Sequence, residues 1–85
     1  MKVIFSETAL KTLKKVDGSV RKQIVKYVHE LEELADPRSR GKGLSSNLAG
    51  LWRYRVGDWR LICEIKDNEL IISIVRIGHR SEVYD

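Results

Sequence analysis

The chain of 85 residues holds one cysteine, one proline, one methionine and one phenylalanine. A lone thiol, Cys63, excludes an internal disulfide and any cysteine-built metal cluster. Its alternation with Trp59 and Leu61 reads as a small buried hydrophobe rather than a nucleophile. That usage fits a reducing compartment. No apolar run approaches a membrane span, and the N-terminus lacks the pattern of a signal peptide, so a cytoplasmic protein with no membrane partner is expected. Histidine is equally scarce. His29 lies among Glu30, Glu32 and Glu33 and reads as exposed, and His79 stands alone near the C-terminus. Neither has metal-ligand spacing, and there is no glycine-rich phosphate loop, so no metal and no other cofactor is expected. Internal repeats and low-complexity tracts are also missing.

What is abundant is charge. Charged residues make up 33% and apolar ones 42%, with a formal net charge of +4 and a pI near 9.4, values that suit one folded domain over residues 1–85. Residues 1–50 carry ten basic and six acidic groups, whereas residues 51–85 carry six of each. In the second half every basic residue but Lys66 is arginine, while the first half is rich in lysine. Lysine is a hydrated point charge suited to steering, and the planar arginine fork suits directed contacts to phosphate oxygens.

Lys2 to Phe5 is a β-prone run ended by Ser6, a good N-cap followed by Glu7 in the first helical turn. A first helix is expected to about Val16, broken by Asp17-Gly18. A second carries Val20, Ile24, Val28 and Leu31 on one stripe until Pro37 ends it after Asp36. The helices expose Lys11, Lys14, Lys15, Arg21, Lys22 and Lys26. Arg38 to Gly50 reads as a loop with a basic trio, Arg38, Arg40 and Lys42. Lys11, Lys14, Lys15, Lys22 and the trio are candidates for RNA binding, against the plain alternative of solvated surface charge. Three strands follow, near Leu51–Val56, Trp59–Lys66 and Glu69–Arg76, joined by Gly57-Asp58 and Asp67-Asn68. The last is apolar on both faces and belongs inside the sheet, with the first strand as its free-side partner. The expected fold is α+β: an N-terminal strand, a two-helix hairpin and a three-stranded antiparallel meander. These form a four-stranded sheet of order 1-4-3-2 with both helices on one face.

Leu51-Trp52-Arg53-Tyr54-Arg55-Val56-Gly57-Asp58-Trp59-Arg60 concentrates the candidate chemistry. Alternation sets Arg53 and Arg55 on one side of a strand and Trp52, Tyr54 and Val56 on the other. A glycine-first hairpin turn then returns Arg60 beside the arginine pair. Such a face suits phosphates, unless its charges simply pair with Asp58 or Glu64. Trp52, Tyr54 and Trp59 have the parity of the apolar face and read as core before base-stacking platforms.

Together with the ending Gly78-His79-Arg80-Ser81-Glu82-Val83-Tyr84, this segment and the order of elements resemble the RelE/ParE superfamily of toxins, in its RelE branch, over essentially the whole chain. The resemblance implies a toxin of a type II toxin–antitoxin system: a small basic endoribonuclease that enters the ribosomal A site, cuts the mRNA there and arrests translation. It implies as partners a RelB-like cognate antitoxin, the ribosome and mRNA, and operator DNA reached through the antitoxin. It carries the family's basic strand residues onto Arg53, Arg55 and Arg60, and its C-terminal arginine and tyrosine onto Arg80 and Tyr84. His79 matches a histidine of other members.

RNA cleavage without a metal needs a base for the 2′-hydroxyl, positive charge on the phosphorane and a proton for the departing 5′-oxygen. Arg53, Arg55, Arg60 and Arg80 suit charge stabilisation, since a guanidinium gives up its proton reluctantly. His79 suits acid work near neutrality, or caps a strand end. Tyr84 serves as base only with a depressed pKa and a tail held in place; stacking on a nucleobase is its other use. Two rival functions stand beside this one: a ParE-type toxin that binds and inhibits DNA gyrase, and a catalytically inactive homologue.

Overall fold

The first strand, β1 (Lys2–Phe5), stops at Ser6, whose hydroxyl accepts from the Ala9 amide at 3.1 Å and starts helix α1 (Glu7–Lys15). Glu7 in the first turn and Lys14 and Lys15 in the last complement the helix dipole. Asp17 precedes helix α2 (Gly18–Glu33). Its carboxylate accepts from the Ser19 hydroxyl at 2.6 Å, which holds it below the usual carboxylate range. Arg21 folds back onto the end of α1, donating to the carbonyls of Leu13, Lys14 and Val16 at 3.0, 3.1 and 2.9 Å. Those carbonyls have no partner within their own helix, so this arginine is a helix cap.

This computed structural model describes residues 1–82. The second helix ends at Glu33, three residues before the expected end at Asp36, and Pro37 opens a short 3-10 turn (Pro37–Ser39) capped by the Asp36 side chain. Beyond it the expected loop contains a two-residue strand, β2 (Lys42–Gly43). Then come β3 (Trp52–Val56), β4 (Trp59–Lys66) and β5 (Ile71–His79). Gly57 takes φ +59° in the β3–β4 turn, as a glycine-first two-residue hairpin requires. The sheet has five strands in the order β1-β5-β4-β3-β2, with β1 parallel to β5 and the other pairs antiparallel. The expected order of four holds within it; the correction is the added edge strand. β2 escaped the sequence pattern because two residues show no alternation. Pairing to β3 and the left-handed Gly41 (φ +82°) create it. A Cβ on Gly41 would meet the Arg53 carbonyl and Trp52 Nε1 at 2.5 Å, so this approach needs glycine.

Both helices cover one face of the sheet. Ala9 and Leu13 of α1 and Ile24, Val28 and Leu31 of α2 meet Tyr54, Val56, Leu61, Cys63, Ile72, Ile74 and Ile77. Each large aliphatic side chain here is worth about 1.5–3 kcal/mol in apolar burial. Trp52 donates from Nε1 to the Arg40 carbonyl at 2.8 Å and Tyr54 from its hydroxyl to the Pro37 carbonyl at 2.7 Å. Both rings therefore fasten the Pro37–Gly43 segment to β3. Among the described residues no helix is long and apolar enough to cross a membrane.

Candidate active site

The face of the sheet away from the helices carries the arginines. Arg55 on β3 is the direct partner of Arg60 on β4, and Arg60 faces Gly78 on β5. Residues paired across strands share a face, so Arg53, two residues before Arg55, belongs to the same surface. There it lies between Lys42 of β2 and Ile62 of β4.

The three arginines differ in exposure. Arg55 is exposed, whereas Arg53 and Arg60 are only 4% and 6% exposed. Nη1 of Arg60 donates to the carbonyls of Gly57 and Trp59 at 3.0 and 3.1 Å. A guanidinium fixed this way meets an incoming anion without first ordering itself. Arg80 joins the same end of the sheet: its amide donates to the Asp58 carbonyl at 2.7 Å, and its Nε stands 3.7 Å from the Asp58 carboxylate. A depression of about 400 Å³ at the β2–β3 edge is lined by Tyr27, Gly41, Lys42, Arg53 and Arg55.

His79 is placed differently. Its partner in register is Trp59, which has the parity of the helix-covered face, and the two rings meet edge to face at 5.4 Å and 87°. The Ser81 amide lies 3.3 Å from His79 Nδ1 and the Ser81 hydroxyl 2.9 Å from the same nitrogen. Tyr84 lies outside the described residues.

The other basic candidates divide. Lys42 faces Arg53 directly and joins the arginine surface. Arg38 forms a two-pronged pair with Asp67 at 2.9 and 3.0 Å and lies over the Trp52 ring. That pairing lowers the Asp67 pKa and raises that of Arg38. Arg40 pairs with Glu30 at 2.8 Å over Tyr27. Both bind the loop to the body of the protein. Lys11, Lys14, Lys15 and Lys22 are exposed on the helices, across the sheet from the arginines.

Arg76, to which the sequence pattern gives no role, does reach the arginine face. Opposite β5, Cys63 faces Ile74 and Ile62 faces Arg76, so Val75 is an extra residue in the ladder. Alternation from Ile72 and Ile74 would send Arg76 into the core; the bulge turns it out and Ile77 in. A run of branched apolar residues carries no mark of where such a residue is inserted. Among the described residues no group of three or more histidine, cysteine, aspartate or glutamate side chains is placed to hold a metal ion.

Comparison with known proteins gives one family model, described as the ParE toxin of the type II toxin–antitoxin system parDE, which matches residues 3–84. The toxin RelE3 of Methanocaldococcus jannaschii is 33% identical over 91 residues, covering 100% of this chain and 97% of the relative. The toxin RelG of Mycobacterium tuberculosis is 30% identical over 82 residues, covering 96% and 93%. Among solved structures, a chain of the RelBE2 toxin–antitoxin complex of Mycobacterium tuberculosis superposes with a TM-score of 0.83 at 31% identity, over 93% of this chain and 96% of that one.

Proposed function

The chain belongs to the RelE/ParE family of type II toxin–antitoxin toxins, and from this we propose that it is a ribosome-dependent mRNA endonuclease that cuts in the A site and halts translation. The observation that carries the reading is the Arg55–Arg60 pair with Arg53 beside it on the face of the sheet away from the helices, Arg60 pinned by two carbonyls. Fixed cations at a common surface suit the crowded phosphorane of a 2′-hydroxyl attack, and each is worth roughly 3 kcal/mol by analogy with loss of one oxyanion-hole donor. Arg53, Arg55, Arg60 and Arg80 are assigned to that charge. Tyr84 is assigned the 2′-hydroxyl proton. His79, beside Arg80 at the end of β5, is assigned the proton for the departing oxygen, which requires its ring to leave the Trp59 edge. Such a sparse proton-transfer set needs a substrate aligned from outside, and the ribosome supplies that alignment.

A RelB-like antitoxin is the expected partner, because the related M. tuberculosis structure is a toxin–antitoxin complex; operator DNA would be reached through it. The protein works in this reading where mRNA is translated, in the cytoplasm and with no metal or other cofactor. Induction in growing cells, with 5′ ends of mRNA mapped, tests the proposal. Cuts inside A-site codons with immediate translational arrest are expected, and they should vanish in Arg55→Ala. The family model that matches is named for ParE, which favours a second reading, binding and inhibition of DNA gyrase. DNA damage with translation intact would select it. A harmless parent whose growth effect is unchanged by Arg60→Ala would mark an inactive homologue.

A further inference from the structure

The face of the sheet away from the helices continues past the arginines already described. Lys42, Arg53, Ile62 and Arg76 form one row across β2, β3, β4 and β5. At the usual strand spacing the backbones of Arg53 and Arg76 stand about 10 Å apart, close enough for their long side chains to reach one extended strand. Ile62, 4% exposed and outside the main core, floors the gap between them.

Between Arg76 and the segment 42–48 lies a groove of about 650 Å³. Its wall is a 3-10 turn, Ser46–Leu48, preceded by Ser45, whose side chain makes no capping bond to it. The wall is tied to the sheet at both ends: the Leu44 amide donates to the Leu51 carbonyl at 3.0 Å, and the Leu51 amide to the Leu48 carbonyl at 3.1 Å. Ser46 holds φ +58°, a left-handed conformation uncommon for serine. Ser45, Ser46 and Asn47 are all exposed. The rim is cationic. Arg38, Arg40 and Arg80 each face a carboxylate, but among the described residues none pairs with Lys42 or Arg76.

We propose that this groove is a second nucleotide subsite, holding the residue of a single-stranded RNA that flanks the scissile linkage. It rests on the endonuclease reading above and extends it to specificity. Arg76 and Lys42 take phosphate oxygens, which positions the strand, while Ser45, Ser46 and Asn47 hydrogen-bond the edge of the base, which selects it. The row through Arg53 makes the subsite continuous with the cutting site. An acidic peptide would satisfy the two cations but not the polar wall, so RNA is the better fit.

The test uses the full chain and a single-stranded RNA carrying a 2′-deoxy sugar at the cut position, titrated at several salt concentrations. Arg76→Ala is expected to weaken binding 3- to 10-fold at low salt and to make the slope of log affinity against log salt shallower by about 0.7, the contribution of one phosphate contact on a single strand. Asn47→Ala is expected to redistribute the cuts on ribosome-bound mRNA among codons. Both side chains are exposed, and thermal unfolding of each variant is the check that it folds. Arg76→Ala with wild-type affinity and slope, alongside an Arg55→Ala variant that is impaired, would overturn the subsite and leave the endonuclease standing. So would an Arg76→Ala variant that loses only affinity for a polyglutamate peptide. A wild-type protein that neither binds the RNA nor cuts mRNA would remove both proposals together.

Discussion

The Ser6 hydroxyl lies 3.0 Å from the Val75 carbonyl and donates to it, while accepting from the Ala9 amide that opens α1. Val75 is the residue without a partner in β4. One side chain therefore caps the first helix and satisfies the bulge that turns Arg76 outward. Losing it removes a cap worth about 1 kcal/mol and a hydrogen bond worth about another. Ser6→Ala is expected to lower stability by about 2 kcal/mol, read as a reduced urea midpoint with an unchanged m-value. Ser6→Thr should keep most of it.

Gly41 makes a second structural prediction. Its φ of +82° and the contacts a Cβ would make with the Arg53 carbonyl and Trp52 Nε1 oppose any side chain. Gly41→Ala is expected to cost about 1–3 kcal/mol and to detach β2 from β3. Faster amide exchange at Lys42 and Gly43, with the core amides still protected, is the measurement.

The Arg38–Asp67 pair predicts an acid-sensitive loop. Asp67 titrates below its unfolded value because Arg38 holds its ionised form. Its contribution is therefore complete above the unfolded carboxylate pKa of about 3.9 and disappears as pH falls through the lower folded value. Asp67→Asn should flatten that part of the stability profile between neutrality and about pH 2 relative to the parent, when both are followed by denaturant unfolding. Identical profiles would show that the pair contributes nothing.

Cys63 is fully buried, and burial pushes its thiol well above the ordinary range. No reaction with a disulfide reagent is expected at pH 8 until urea unfolds the chain, when one thiol per molecule should appear. Rapid labelling of the native protein would contradict this burial.

Arg55 and Arg60 separate catalysis from stability. Exposed Arg55 can be truncated at little structural cost, so Arg55→Ala is expected to cut mRNA at least 100-fold more slowly with an unchanged midpoint of unfolding. Arg60, 6% exposed and bonded to Gly57 and Trp59, should lose both activity and stability on conversion to alanine. Activity unaffected in both variants would remove the arginines from the reaction. If about four phosphates are contacted, affinity for single-stranded RNA should vary with salt with a slope near −3.

Periodicity alone identified the two helices, the meander and its closure by the first strand. Val20, Ile24, Val28 and Leu31 mark a helix stripe, and a doubly apolar last strand must lie inside a sheet. The same parity put Arg53, Arg55 and Arg60 on one face, because local alternation and a two-residue turn leave no other register. Long-range contacts settled the remainder. Lys42 became a strand because Gly41 lets it reach β3; Arg38 and Arg40 found their carboxylates on Asp67 and Glu30, distant in the chain. His79 faces Trp59 and Arg76 faces outward because one inserted residue, Val75, reverses the alternation of β5. A bulge costs a ladder hydrogen bond, and only the folded chain brings up the Ser6 hydroxyl that replaces it.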